Sequence, residues 1–196
     1  MVIGVVLAAG LARRMGEPKL LLSVAGKSVI RHSVEAVLAG GIGRLIVVVP
    51  PEHGALSAAL EDLRVSLAVN PAPEEGQAGS IRAGIAALPS GTAAALIALG
   101  DQPFLPREVI PRLLAEFGGG GRAIVAPRYR EGQGNPVLFG AAVFPELLAL
   151  CGDRGARSVI ERDGSRVGWV DFELSMPADL DTREDYERLR ESRGPV

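Results

Sequence analysis

The 196-residue chain is 47% hydrophobic but only 4% aromatic, and its formal net charge is −2. That length accommodates one domain with a sizeable core, and abundant Ala, Val, Leu and Gly favour aliphatic strands and helices over an aromatic-rich sandwich. The lack of a basic excess argues against polymeric nucleic acid as a partner, and one cysteine, Cys151, with two histidines, His32 and His53, supports neither an intramolecular disulfide nor a structural zinc set.

Taken in chain order, the apolar runs Val2–Leu7, Leu45–Val49, Val65–Val69, Ala94–Leu99 and Ala123–Ala126 read as strands buried on both faces. Between them Val29–Leu38, Leu56–Leu63, Ile81–Leu88 and Val109–Phe117 carry apolar residues at helical spacing. The alternation predicts an α/β domain spanning residues 1–196, three-layered, with a mostly parallel, doubly wound sheet whose ligands bind beyond the carboxyl ends of the strands. The last third is less regular: Pro136–Phe139 and Val167–Phe172 read as strands and Ala142–Leu150 as a helix. A closing helix, Thr182–Arg190, would be capped by Thr182 with Asp185 in its first turn. No run is long enough to span a membrane, and the first apolar stretch reads as a core strand. A single thiol fits a reducing cytoplasm. Cys151 reads as buried packing, and His32 and His53 as helix-surface residues.

Three stretches carry chemistry. The first, Leu7-Ala8-Ala9-Gly10-Leu11-Ala12-Arg13-Arg14-Met15-Gly16-Glu17-Pro18-Lys19, begins where the first strand ends. Small residues let backbone N–H groups approach phosphate oxygens, and Arg14 and Lys19 supply cations at the same point. A dinucleotide fingerprint fails at Ala12 and a Walker A loop fails at Leu21. The second, Gly100-Asp101-Gln102-Pro103, sets a carboxylate at a strand's carboxyl end, where Asp101 can bind Mg²⁺. The third, Asp179-Leu180-Asp181-Thr182, offers Asp181, ahead of Asp179, as a second ligand; a helix cap would use the same residues.

These stretches recur in this order in the MobA/MocA-like nucleotidyltransferases, which the chain resembles over nearly its whole length, most of all the molybdenum cofactor cytidylyltransferases. The resemblance implies a nucleotide-diphospho-sugar-transferase-like fold in which Leu7, Ala8, Ala9 and Gly10 line the nucleotide, the last three through backbone groups. Arg14 and Lys19 would contact the triphosphate, Asp101 would hold Mg²⁺, and Asn70, Gly79 and Ser80 would read the base. Ala9, where guanylyltransferases of the family carry a second Gly, points to CTP. Gly134-Asn135-Pro136-Val137 resembles the family's Gly-His-Pro-Val, with Asn135 in place of His, and Arg157 follows on the acceptor side.

The expected reaction is Mg²⁺-dependent transfer of CMP from CTP to molybdopterin with release of pyrophosphate, the product passing to a molybdoenzyme. A guanylyltransferase, a methylerythritol-phosphate cytidylyltransferase and a sugar-phosphate nucleotidyltransferase share the fold, so the acceptor pocket decides among them. A non-catalytic cofactor carrier is the rival of another class.

Overall fold

The computed structural model describes residues 1–10, 18–152 and 155–191. Its main sheet has eight strands: β1 (Val2–Leu7), β4 (Leu45–Val49), β5 (Val65–Val69), β6 (Ala94–Leu99), β7 (Ile124–Tyr129), β8 (Gly132–Gln133), β9 (Val137–Gly140) and β10 (Val167–Asp171). The order is β10-β7-β9-β6-β1-β4-β5, with β8 added to β7. Strands β5, β4, β1 and β6 run parallel, β9 runs antiparallel to both neighbours, and β10 pairs parallel with β7. This is the expected three-layer, mostly parallel α/β fold.

Side chains alternate across the sheet because strand geometry has a period of two. On one face Val6, Val47, Leu96 and Leu138 meet α1 (Val29–Ala39), α2 (Gly54–Ala59), α4 (Val109–Gly118) and α7 (Arg183–Glu191). On the other, Val5, Val48, Ile97 and Phe139 meet α3 (Gln77–Ala86), α5 (Phe144–Leu148) and α6 (Arg157–Arg162). Helix α3 lies so close to β1 and β4 that a Cβ on Gly84 would sit 2.5 Å from Val5 Cγ1 and 3.0 Å from Val48 Cγ2.

Several expectations are corrected. Strand β5 is an edge strand, with Ser66 and Val69 exposed, because no strand among the described residues pairs beyond it. Helix α3 begins at Gln77 rather than Ile81, so Gly79 and Ser80 lie inside a helix. Helix α2 ends at Ala59, leaving Leu60 and Leu63 in the turn after it. A hairpin of β2 (Ser23–Val24) and β3 (Lys27–Ser28) escaped notice because its turn places Ala25 at φ 46° and Gly26 at φ 77°, and alanine is rarely found there. Cys151 is exposed, just beyond α5. His32 is half-buried, its Nε2 2.6 Å from the Val24 carbonyl and its ring against Phe104. The closing helix is capped as expected: the Thr182 amide donates to Asp185 Oδ2 at 2.8 Å, and the Asp185 amide donates back to Thr182 Oγ1 at 3.2 Å. Among the described residues no helix is long and apolar enough to cross a membrane.

Glycine-to-alanine changes separate packing from propensity. Gly84→Ala places a methyl group against immobile core atoms and should cost about 1–3 kcal/mol, outweighing the roughly 1 kcal/mol gain in helix propensity. Gly118→Ala, with no described atom near its added carbon, should gain up to about 1 kcal/mol. Urea midpoints moving in opposite directions would verify both.

Candidate active site

The sheet order reverses direction between β1 and β6, which pair in register with Leu7 opposite Leu99. The chain leaves β1 towards β4 on one side, while β6 lies on the other, so their carboxyl ends frame the crevice where open α/β sheets bind ligands. Ala8 is tied to β4 through its amide and the Val48 carbonyl at 2.8 Å. Ala8 and Ala9 are buried and Gly10 is exposed at the rim. Arg14 lies outside the described residues.

Asp101 emerges immediately after β6, fixed by its neighbours' hydrogen bonds. The Gly100 amide donates to the Leu7 carbonyl at 2.9 Å, and the buried Ser33 hydroxyl of α1 donates to the Gly100 carbonyl at 2.8 Å. From the C-terminal region the Leu180 amide donates to the Asp101 carbonyl at 3.0 Å. That last bond brings the Asp179–Thr182 segment onto the end of β6 and carries Asp181 to the site.

Lys19 stands where the first motif returns to the sheet, at the start of a short 3-10 turn. Its Nζ donates to Asp101 Oδ2 at 2.7 Å and to Asp181 Oδ1 at 2.9 Å. Burial opposes the ammonium charge, but the two carboxylates outweigh it, so the Lys19 pKa is held above its ordinary value and the side chain stays cationic at physiological pH. Residues 82 and 162 positions apart thus share one ion-pair cluster.

Gln102 and Asp179 complete the inner wall. The buried Gln102 amide donates to Asp179 Oδ1 at 2.7 Å. Desolvation raises the Asp179 pKa, and repulsion from Asp101 and Asp181 adds to the rise, against the Gln102 bond that favours the anion. Of the two acidic residues in the third motif, the one facing Lys19 is therefore Asp181.

The base-reading candidates have other work. Asn70 is buried; its Nδ2 donates to Ser80 Oγ at 3.1 Å, and its Oδ1 accepts from the Ala72 amide at 3.1 Å. A Cβ on Gly79 would sit 3.3 Å from Asn70 Nδ2 and from the Ala72 carbonyl, so this glycine lets the loop close onto α3. Asn70 and Ser80 shape the loop between them by bonding each other.

Asn135 and Arg157 line one cleft of about 240 Å³ beside Leu7 and Leu99. The Asn135 carbonyl accepts from the buried Tyr129 hydroxyl at 2.8 Å. Arg157 is exposed at the cleft, its Nε donating to Glu161 Oε1 at 2.8 Å. Sequence reasoning passed over Gln77 and Gln133, which line the same cleft.

The site's electrostatics yield a pH-dependent prediction. Because the folded-state pKa of Asp179 is raised above 3.8, its favourable contribution is present at low pH and is lost as pH rises through the folded value. Asp179→Asn keeps an acceptor for Gln102 and removes the like charge. The variant should be more stable than the wild type at pH 7, with the gap closing as pH falls towards 3.8 in thermal melts across that range.

Residues 4–167 match the MobA-like NTP transferase domain family. The chain is 31% identical to the purine catabolism protein PucB of Bacillus subtilis, with 96% of this chain and 95% of the relative covered. It is also 31% identical to the nicotine blue oxidoreductase of Paenarthrobacter nicotinovorans, with 96% of each covered. A probable molybdenum cofactor guanylyltransferase of Pyrococcus horikoshii is 29% identical, over 78% of this chain and 74% of the relative. Among solved structures, Rv0371c of Mycobacterium tuberculosis superposes with a TM-score of 0.87 at 30% identity, covering 97% of both chains. Its manganese complex gives 0.84 at 28% identity, again over 97% of both chains. A nucleotidyl transferase from Methanothermobacter gives 0.81 at 28% identity, over 98% of this chain and 97% of that one. The chain belongs to the MobA-like NTP transferase family and is a nucleotidyltransferase.

Proposed function

We propose that this chain is a cytoplasmic, Mg²⁺-dependent cytidylyltransferase, built as a single domain over residues 1–196, that transfers CMP from CTP to molybdopterin for delivery to a molybdoenzyme. The observation that carries the reading is the convergence of Lys19, Asp101 and Asp181 at the carboxyl ends of β1 and β6. Ala9 in the first motif supports CTP as donor.

The donor set fits a hard divalent cation. Among the described residues no cluster of three or more His, Cys, Asp or Glu side chains stands ready to hold a metal. Mg²⁺, however, takes only one or two protein carboxylates and fills its shell with water and substrate phosphate oxygens. Asp101 and Asp181, which already share one cation in Lys19 Nζ, supply such a pair. When bound there, Mg²⁺ would neutralise charge on the phosphates.

The protein's own contribution is position and charge. The amides of Ala9 and Gly10 bind phosphate oxygens, the Ala8 amide being committed to the Val48 carbonyl, and Lys19 with Arg14 offsets the charge that grows on the leaving pyrophosphate. An oxygen of the acceptor's terminal phosphate attacks the α-phosphorus of CTP. A new phosphoanhydride forms there as the bond between the α-phosphorus and the bridging oxygen breaks, and the electron pair leaves with pyrophosphate. No covalent enzyme intermediate is needed. The Asn70–Ser80 segment reads cytosine through its shape and backbone, and Asn135 and Arg157 hold the acceptor.

Pyrophosphate release measured with CTP, molybdopterin and Mg²⁺ tests the assignment. Asp101→Asn and Lys19→Ala should each lower kcat about 100-fold or more while leaving the circular dichroism spectrum unchanged. Turnover within about threefold of wild type in either variant would remove that residue from the chemistry. Release with GTP but not CTP would show that the donor is misassigned.

A further inference from the structure

The sequence contains five amide side chains in all: Asn70, Gln77, Gln102, Gln133 and Asn135. Two are consumed inside the fold, Asn70 by Ser80 and Ala72, and Gln102 by Asp179. The other three line one cleft, the 240 Å³ space beside Leu7 and Leu99. They come from separate parts of the chain: Gln77 opens α3, Gln133 ends β8, and Asn135 precedes β9. A chain that spends so few amides has brought three of them to one wall.

The rest of the cleft narrows what they recognise. Its floor is apolar, formed by Leu7, Ile97, Leu99, Val137 and Phe139, and among the described residues no carboxylate lines it. Among the described residues Arg157 is its one charged lining residue. Each primary amide offers both a donor and an acceptor without charge. An apolar floor edged by neutral donor–acceptor groups suits a flat heterocycle carrying ring N–H, ring N and carbonyl groups along one edge. A polyhydroxylated chain would leave the floor unused. The volume lies below the roughly 300–1,000 Å³ of sites for drug-sized ligands, so it holds one ring system with the remainder of the molecule outside. Arg157 is placed to meet an anionic group at the mouth.

Gln77 lies against Gly155, whose φ of +54° favours glycine and whose Cα sits close enough that a Cβ there would meet the Gln77 amide. Of the proposed donor-binding residues Leu7 alone lines the cleft, at its floor, while Ala8, Ala9, Gly10, Asn70, Gly79 and Ser80 do not, and both proposed acceptor residues do.

We infer that Gln77 and Gln133, together with Asn135, are specificity-determining residues that read the heterocyclic edge of the acceptor's ring, which is of the pterin class. The inference rests on the proposed transfer reaction for its kinetic test, but ring binding can be read without turnover.

Two measurements separate the possibilities, using Gln77→Leu, Gln133→Leu and the double variant. In steady-state kinetics each single change should raise the KM for molybdopterin about 3- to 10-fold, as expected for one lost hydrogen bond, and the double change about 10- to 100-fold. KM for CTP and kcat should stay within about twofold. Independently, 6-hydroxymethylpterin fluorescence should be quenched by the wild-type protein and not by the double variant, at matched melting temperatures. Quenching that depends on the two glutamines while no donor supports transfer would uphold the ring assignment and overturn the proposed reaction. A rise confined to the KM for CTP would assign the cleft to the donor's base and overturn the inference. Unchanged constants in the double variant, or no quenching by the wild type, would also overturn it.

Discussion

The site depends on one ammonium group held between two carboxylates. Lys19 belongs to the N-terminal motif, Asp101 to the end of β6, and Asp181 to the approach to the last helix. Buried largely out of water, the lysine would lose its proton more readily without those partners, and the two acids would repel each other without the lysine. A cluster of this kind is costly to leave half-made, because removing one member strands charge that the fold has partly desolvated. It closes the sheet's carboxyl edge with segments that have no local reason to meet.

What holds those segments in register is the backbone around them. Gly100 is tied to β1 through Leu7 and to α1 through Ser33, and Leu180 docks on Asp101 by a main-chain bond. The sheet beneath is buried on both faces, so its strand ends have little freedom. A rigid platform with charge concentrated at one rim is the arrangement from which electrostatic stabilisation of phosphoryl transfer gains most, since little reorganisation is needed as charge develops.

The parallel half of the fold was legible because its strands are continuous apolar runs and its helices carry clear 3.6-residue spacing. Strand β1 matches its predicted limits, as do β4, β5 and β6. Periodicity could not tell that β5 would lie at an edge, because burial of its outer face depends on a neighbour absent from the local sequence. Helix α6 was missed because only Val159 and Ile160 face inward between charged residues, too few for a period to emerge. The Ala25-Gly26 turn was missed because its left-handed alanine breaks the usual turn chemistry.

Lys19, Asp101 and Asp181 could be named from the sequence, Lys19 as a cation of the first motif, Asp101 at a predicted strand end and Asp181 at a predicted helix start. Their meeting at one point could not be read there, being a property of sheet order. Asn70 and Ser80 were legible as a pair but not as partners of each other; a buried amide and hydroxyl ten positions apart satisfy each other only once α3 begins at Gln77. Gln77 and Gln133 left a different signal, the scarcity of amides in the chain, which gains meaning only when a shared cleft is seen. The measurement that tests the central claim most directly follows the fate of CTP labelled at its α-phosphorus, incubated with the protein, molybdopterin and Mg²⁺. The account predicts label in a molybdopterin–cytosine dinucleotide, with one pyrophosphate released per label transferred. Label remaining wholly in CTP, while a different nucleotide or acceptor is consumed, would contradict it.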